Sequence, residues 1–154
     1  MEKQSGLSAD YIKSLLRKAG SRASLFVDIF PLDKLRESLL ERDEFKREAF
    51  TMIVHFDWHF VTIVKRAKYI LYIDTLNMKV NQAIVKFLSH LNLPIFPNRR
   101  IIQHESSELC GLMCFLMVMY YDREEQNFTL SFDKKDLIFN DELTMEYITR
   151  LLSQ

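Results

Sequence analysis

Hydrophobic positions along this chain switch repeatedly between helical and strand period, and each switch marks a change of element. Ser8-Ala9-Asp10 has the composition of a helix start. Tyr11, Ile12, Leu15, Leu16 and Ala19 follow at helical spacing, and Gly20 reads as the stop. After Leu25-Phe26-Val27-Asp28-Ile29-Phe30-Pro31, the charged stretch from about Asp33 to Glu48 predicts a second amphipathic helix, with Leu35, Leu39, Leu40 and Phe45 inward and the charges on a wet face. The pattern then turns β-rich. Phe50 to Phe56 leads almost at once into Trp58 to Val64, a polar loop Lys65-Arg66-Ala67-Lys68, and Tyr69 to Asp74, which is a hairpin signal. Three sequential strands are therefore expected at the centre of an antiparallel sheet.

Further along, Asn77 is expected to cap a helix running to about Leu91, and 92–98 reads as loop because it holds Pro94 and Pro97. Arg99 to Gln103 predicts a short strand and Leu112 to Tyr121 an apolar helix. Phe128 to Phe132 reads as an edge strand and Leu143 to Leu152 as a terminal helix. The class this implies is α+β, a mostly antiparallel central sheet packed with helices, in one domain over 1–154.

Composition narrows the functions available. With 48% hydrophobic residues and 12% aromatics, the chain can bury a core without disulfides or metal. A formal net charge of zero disfavours a general nucleic-acid or acidic-membrane binder, and Lys65, Arg66, Lys68 and the pair Arg99, Arg100 read as solvated loop charge. The two cysteines, Cys110 and Cys114, lie four apart in one expected helix, so they form no disulfide framework and fit a reducing, intracellular compartment. The N-terminus lacks a signal-peptide core and no apolar run reaches bilayer length, so neither secretion by that route nor membrane insertion is expected.

The chemistry concentrates in Gln103-His104-Glu105-Ser106-Ser107-Glu108-Leu109-Cys110-Gly111. A thiol in the first turn of a helix feels the positive end of the dipole, which favours thiolate and makes a nucleophile near neutral pH. Pairing Val64 with Tyr69 across the hairpin sets His59 directly opposite Asp74, where a carboxylate can hold an imidazole in one tautomer. A Cys–His–Asp constellation follows, with Gln103, seven residues before Cys110, available as an oxyanion donor. Of the rival bases, His55 pairs with nothing acidic, His90 ends a helix and His104 lies in a loop. Cys114, Met113, Met117 and Met119 read as core filling, and Trp58 is left out of the site. The scattered histidines and two cysteines do not supply zinc-ligand spacing, so no metal or other cofactor is expected.

In order and spacing these residues resemble the adenain-like cysteine proteases, the adenovirus maturation protease family with its relatives in DNA viruses and virus-like elements. Gln103 to Cys114 matches that family's Gln-x6-Cys-Gly-Leu-x-Cys position for position, and Ile12 to Leu35 looks like its N-terminal region. The resemblance covers about residues 10 to 121. It implies Cys110 as nucleophile, His59 as general base, Asp74 as the orienting acid and Gln103 in the oxyanion hole. It also implies protein substrates, capsid or core precursors cut next to small residues such as glycine, and action at a viral assembly site, in the virion or in the host nucleus. Phe60 stands where the family usually has tryptophan, and Asp74 where adenoviral members often have glutamate. The segment from the acid to Gln103 is shorter than the family's. No cysteine precedes Cys110 to tether an activating peptide as in adenoviral members, so the activator is unknown.

Two other functions remain in view. A ubiquitin-like-modifier protease of the same clan would use the same four residue types, but such enzymes commonly carry Asp just before the cysteine and Trp just after the histidine, where Leu109 and Phe60 stand here. A non-catalytic interaction module would keep the fold without needing all four groups.

Overall fold

The computed structural model describes residues 9–57, 59–98, 110–122 and 137–153. Trp58, Gln103, His104 and the strands expected over 99–103 and 128–132 lie outside these residues. Five strands form one sheet in the order of the sequence: β1 (Phe26–Pro31), β2 (Phe50–Phe56), β3 (His59–Lys65), β4 (Ile70–Ile73) and β5 (Ile95–Pro97). Around it pack α1 (Ala9–Ala19), α2 (Gln82–Ser89), α3 (Cys110–Asp122) and α4 (Leu137–Leu152). The α+β class and the central antiparallel run β2-β3-β4 are as expected, whereas both flanking strands pair parallel, β1 with β2 and β5 with β4.

Alternation along the strands builds two cores. On one face, Ile53, Phe60, Val64 and Ile73 meet α1, α3 and Ile148 of α4. On the other, Met52, Val54, Val61, Ile63 and Tyr72 meet Ile84, Phe87 and Leu88 of α2, together with Phe30, Phe45 and Phe50. A strand covered on both faces needs a near-continuous apolar sequence, which is what His59-Phe60-Val61-Thr62-Ile63-Val64 supplies. Helix α3 is buried at every position from Gly111 to Met119. It is apolar all round, as a helix enclosed between a sheet and other helices must be.

The first helix falls where expected: Ile12, Leu15, Leu16 and Ala19 are its buried residues, and Gly20, at φ 58, ends it in the left-handed region open to glycine. Other expectations need correction. The stretch from Asp33 to Glu48 is not one amphipathic helix but short 3-10 turns, Leu32–Lys34, Glu37–Glu41 and Asp43–Lys46, separated by extended residues. This segment has to carry the chain from the end of β1 back to the start of a parallel neighbour. Its leucines are each half-buried against the Phe30 and Phe45 core rather than aligned on one stripe. The Arg42 guanidinium lies 5.9 Å from the centroids of both the Phe30 and Phe45 rings and closes this corner.

Asn81, not Asn77, caps the second helix, its side chain accepting from the N–H groups of Ala83 at 2.9 Å and Ile84 at 3.2 Å. Asn77 instead takes φ 51 in the turn after Asp74 and donates its N–H to the Asp74 carbonyl at 2.9 Å. Asparagine suits both roles, so residue type alone does not choose between them. The proline-containing segment 92–98 includes β5. Pro94 and Pro97 are tolerated on an edge, where the ladder uses the Pro94 carbonyl, accepting from Ile70 N–H at 2.9 Å. The terminal helix starts at Leu137, before its expected Leu143.

Phe45 is 2% exposed and meets the rings of Phe30, Phe50 and Phe87 at centroid distances of 5.9, 5.1 and 6.3 Å. Phe45→Ala should cost about 3–5 kcal/mol. Asn81→Ala, which removes only the cap, should cost about 1 kcal/mol. Urea unfolding of both variants checks the order, and comparable losses would mean that the corner around Phe45 is not part of the cooperative core.

Candidate active site

His59 opens β3 and Asp74 lies one residue beyond the end of β4. The hairpin register pairs Thr62 with Ile73 and Lys65 with Ile70, two residues away from the register that sets His59 directly opposite Asp74. A shift of one residue would have sent the two side chains to opposite faces, but a shift of two preserves the face and makes them diagonal neighbours. They still meet: His59 Nε2 lies 2.7 Å from Asp74 Oδ1, with the side chains 7% and 3% exposed. An ionised carboxylate only accepts hydrogen bonds, so the contact assigns the ring proton to Nε2.

Several contacts hold the acid where the strand ladder has ended. Its Oδ1 also accepts the Leu76 N–H at 2.9 Å, an Asx turn that fixes the carboxylate relative to its own backbone. Its backbone is gripped by Asn98, whose Oδ1 accepts the Asp74 N–H at 2.8 Å and whose Nδ2 donates to the Asp74 carbonyl at 2.7 Å. Sequence reading missed Asn98, which follows Pro97 with no spacing or periodicity to single it out. Tyr72, two residues before the acid, accepts the Asn81 N–H on its phenolic oxygen at 3.0 Å and so ties β4 to the start of α2.

Cys110 is the first residue of α3, the position at which the helix dipole acts on a thiol. Gln103, the fourth expected site residue, lies outside the described residues. Of the rival bases, the two among the described residues are otherwise engaged: the His55 ring stacks on Phe60 at 4.5 Å, and His90 caps the C-terminus of α2 with Glu37 at 3.6 Å. Cys114, Met113, Met117 and Met119 are buried in the core between α3 and the sheet, as their positions suggested.

No protein-family model and no curated protein matches this chain. Solved structures do. The ASFV pS273R protease is similar with a TM-score of 0.64 at 12% identity, over 80% of this chain and 61% of that one, so the chain spans less than two thirds of that protein's length. The SUMO protease Ulp1, with its catalytic cysteine oxidised to a sulfinic acid, is similar with a TM-score of 0.60 at 15% identity, over 94% of this chain and 78% of that one. The C-terminal Ulp1 protease domain in complex with Smt3, the yeast ortholog of SUMO, gives a TM-score of 0.62 at 11% identity, with 94% and 75% covered. At these identities the likeness is one of fold. The α+β architecture described above is the one these proteases have.

Burial pushes the Tyr72 phenol above its ordinary range; the Asn81 N–H opposes the rise, and Asp74 adds to it. An unfolded tyrosine ionises at about pH 10. Above that pH the unfolded chain releases a proton that the folded chain keeps, so Tyr72 stabilises fully below about pH 10 and progressively less as pH rises toward its folded value. Tyr72→Phe should flatten the alkaline loss of stability while costing about 1 kcal/mol at neutral pH for the unpartnered Asn81 N–H. Unfolding curves at neutral and alkaline pH test this, and equal alkaline losses in the two proteins would rule it out.

Proposed function

We propose that this chain is a cysteine endopeptidase acting on protein substrates, with Cys110 as nucleophile, His59 as base, Asp74 as its orienting acid and Gln103 as oxyanion donor. The observation that carries the reading is the buried 2.7 Å contact between His59 Nε2 and Asp74 Oδ1, in a fold shared with cysteine proteases and with Cys110 opening the central helix. Because Asp74 holds Nε2, the nitrogen that receives the thiol proton in this reading is Nδ1. The Cys110 sulfur then attacks the scissile carbonyl carbon, and the carbonyl oxygen gathers negative charge against the Gln103 amide and the Cys110 backbone N–H. Collapse expels the amine, which takes the proton from His59, and leaves a thioester. Water, deprotonated by the same imidazole, hydrolyses that thioester and regenerates the thiol.

The proposed substrates are capsid or core precursors cut next to glycine, a reading supported by the Gln103–Cys114 motif and by the likeness to a protease of viral name. A ubiquitin-like-modifier protease is the second reading, favoured by the likeness to Ulp1 over 94% of this chain. Leu109 and Phe60 weigh against it. A short Gly-Gly peptide and a thiol-reactive ubiquitin-like probe separate the two. Peptide cleavage without probe labelling supports the first, labelling supports the second, and neither reaction with a folded protein points to a non-catalytic module.

Cys110→Ala should abolish peptide cleavage with little change in stability, since loss of a covalent nucleophile costs several orders of magnitude; hydrolysis within about tenfold of the parent would sink the assignment. Gln103→Ala should lower kcat by roughly 10²–10³ with KM nearly unchanged, because its amide is proposed to act only on the developing charge. A rise in KM alone would move Gln103 from the oxyanion hole to the substrate cleft.

A further inference from the structure

We infer that Asn98 is a positioning residue for the catalytic acid, its side-chain amide standing in for the strand backbone that Asp74 lacks. Strand β5 ends at Pro97, which pairs with Tyr72, and the Asn98 N–H still donates to the Tyr72 carbonyl at 3.1 Å. The backbone register of β5 with β4 ends at the Tyr72–Pro97 pair. There the Asn98 carboxamide turns onto Asp74 and makes the two bonds that a neighbouring strand would make, accepting from its N–H at 2.8 Å and donating to its carbonyl at 2.7 Å.

The two-armed contact selects the residue type. A carboxamide offers an acceptor and a donor from one planar group, whereas a carboxylate offers acceptors only, and a hydroxyl at this reach cannot span both atoms. Fixing the N–H and the carbonyl of one residue fixes its φ and ψ, and therefore the direction in which its side chain leaves the backbone. The Asp74 carbonyl is held a second time by the Asn77 N–H, and its carboxylate by the Leu76 N–H, both from residues that follow it in the chain. Among the described residues, Asn98 is the one that holds the Asp74 backbone from a distant segment, 24 residues away in sequence. It ties the acid to the end of β5, and thereby to the sheet, rather than to its own turn.

The clamp reaches His59 through Asp74, so its loss should disturb the orientation of the imidazole and leave substrate affinity intact. An error of about 1 Å in the placement of a reacting group can cost on the order of 10²-fold in rate. Asn98→Ala should therefore lower kcat for a Gly-Gly peptide by roughly 10- to 100-fold with KM within about twofold. On an Asp74→Ala background, where no carboxylate remains to be placed, it should add little.

The kinetic arm rests on the proposed peptidase reading, so a second measurement stands apart from activity. Imidazole ¹⁵N shifts of the full-length protein with labelled histidine report which ring nitrogen of His59 carries the proton. The parent should show the Nε2–H tautomer, and Asn98→Ala should show a mixture of tautomers like that of Asp74→Ala. Should Asn98→Ala fail to fold, Asn98→Asp keeps the volume and the acceptor arm, sets a charged acceptor where the donor stood, and should show the same mixture. An unchanged His59 tautomer in the folded variant would overturn the inference whether or not the parent cleaves peptide. A parent that cleaves nothing, with the tautomer still shifting on substitution, would count against the peptidase reading and leave the clamp standing.

Discussion

Enclosure of α3 is the constraint on which the other elements depend. A helix that reads Leu112-Met113-Cys114-Phe115-Leu116-Met117-Val118-Met119 presents no face to water, so each side of it must be covered. Ile53, Phe60, Val64 and Ile73 of the sheet, the apolar stripe of α1 and Ile148 of α4 do this together. At about 25 cal/mol per Å² of apolar surface removed from water, such burial outweighs any single polar contact in the molecule. It therefore decides where the helix sits, and with it the place of Cys110 at its start.

The candidate site is assembled where regular structure stops. His59 is the first residue of β3, Asp74 the first after β4, and Cys110 the first of α3. Strand and helix ends leave backbone groups that the ladder does not satisfy, and they let side chains replace backbone as partners. Around Asp74 this replacement is complete on both sides: its own carboxylate and carbonyl bind the turn that follows, and the Asn98 amide continues the sheet beyond β5. A dyad buried to 7% and 3% exposure is held against the competition of water that would loosen an exposed pair.

The hairpin shows how tolerant such a site is to one kind of error and how intolerant to another. Moving β4 by two residues against β3 keeps every side chain on its face, and the reach of an imidazole and a carboxylate absorbs the diagonal offset. Moving it by one would break the dyad and turn Ile70 and Tyr72 away from the core around α2 and into the one around α3, so core and site enforce the same parity.

The sequence by itself determined what depends on pattern and local chemistry. The stripe of α1 and its stop at Gly20, the central three-strand run, the apolar helix opening at Cys110 and the pairing of His59 with Asp74 all follow from period, composition and face parity. Tertiary structure decided what depends on partners distant along the chain. The stretch from Asp33 to Glu48 has the composition of a helix but breaks into turns, because it must bridge two parallel strands while each leucine finds its own place against Phe30 and Phe45. Proline marks 92–98 as loop, yet an edge strand needs its N–H groups on one side only, and β4 had one edge left to pair. Asn77, Asn81 and Asn98 are alike in sequence. One enters a left-handed turn, one caps a helix and one grips the acid, because a carboxamide satisfies whichever unpaired backbone groups the fold brings to it.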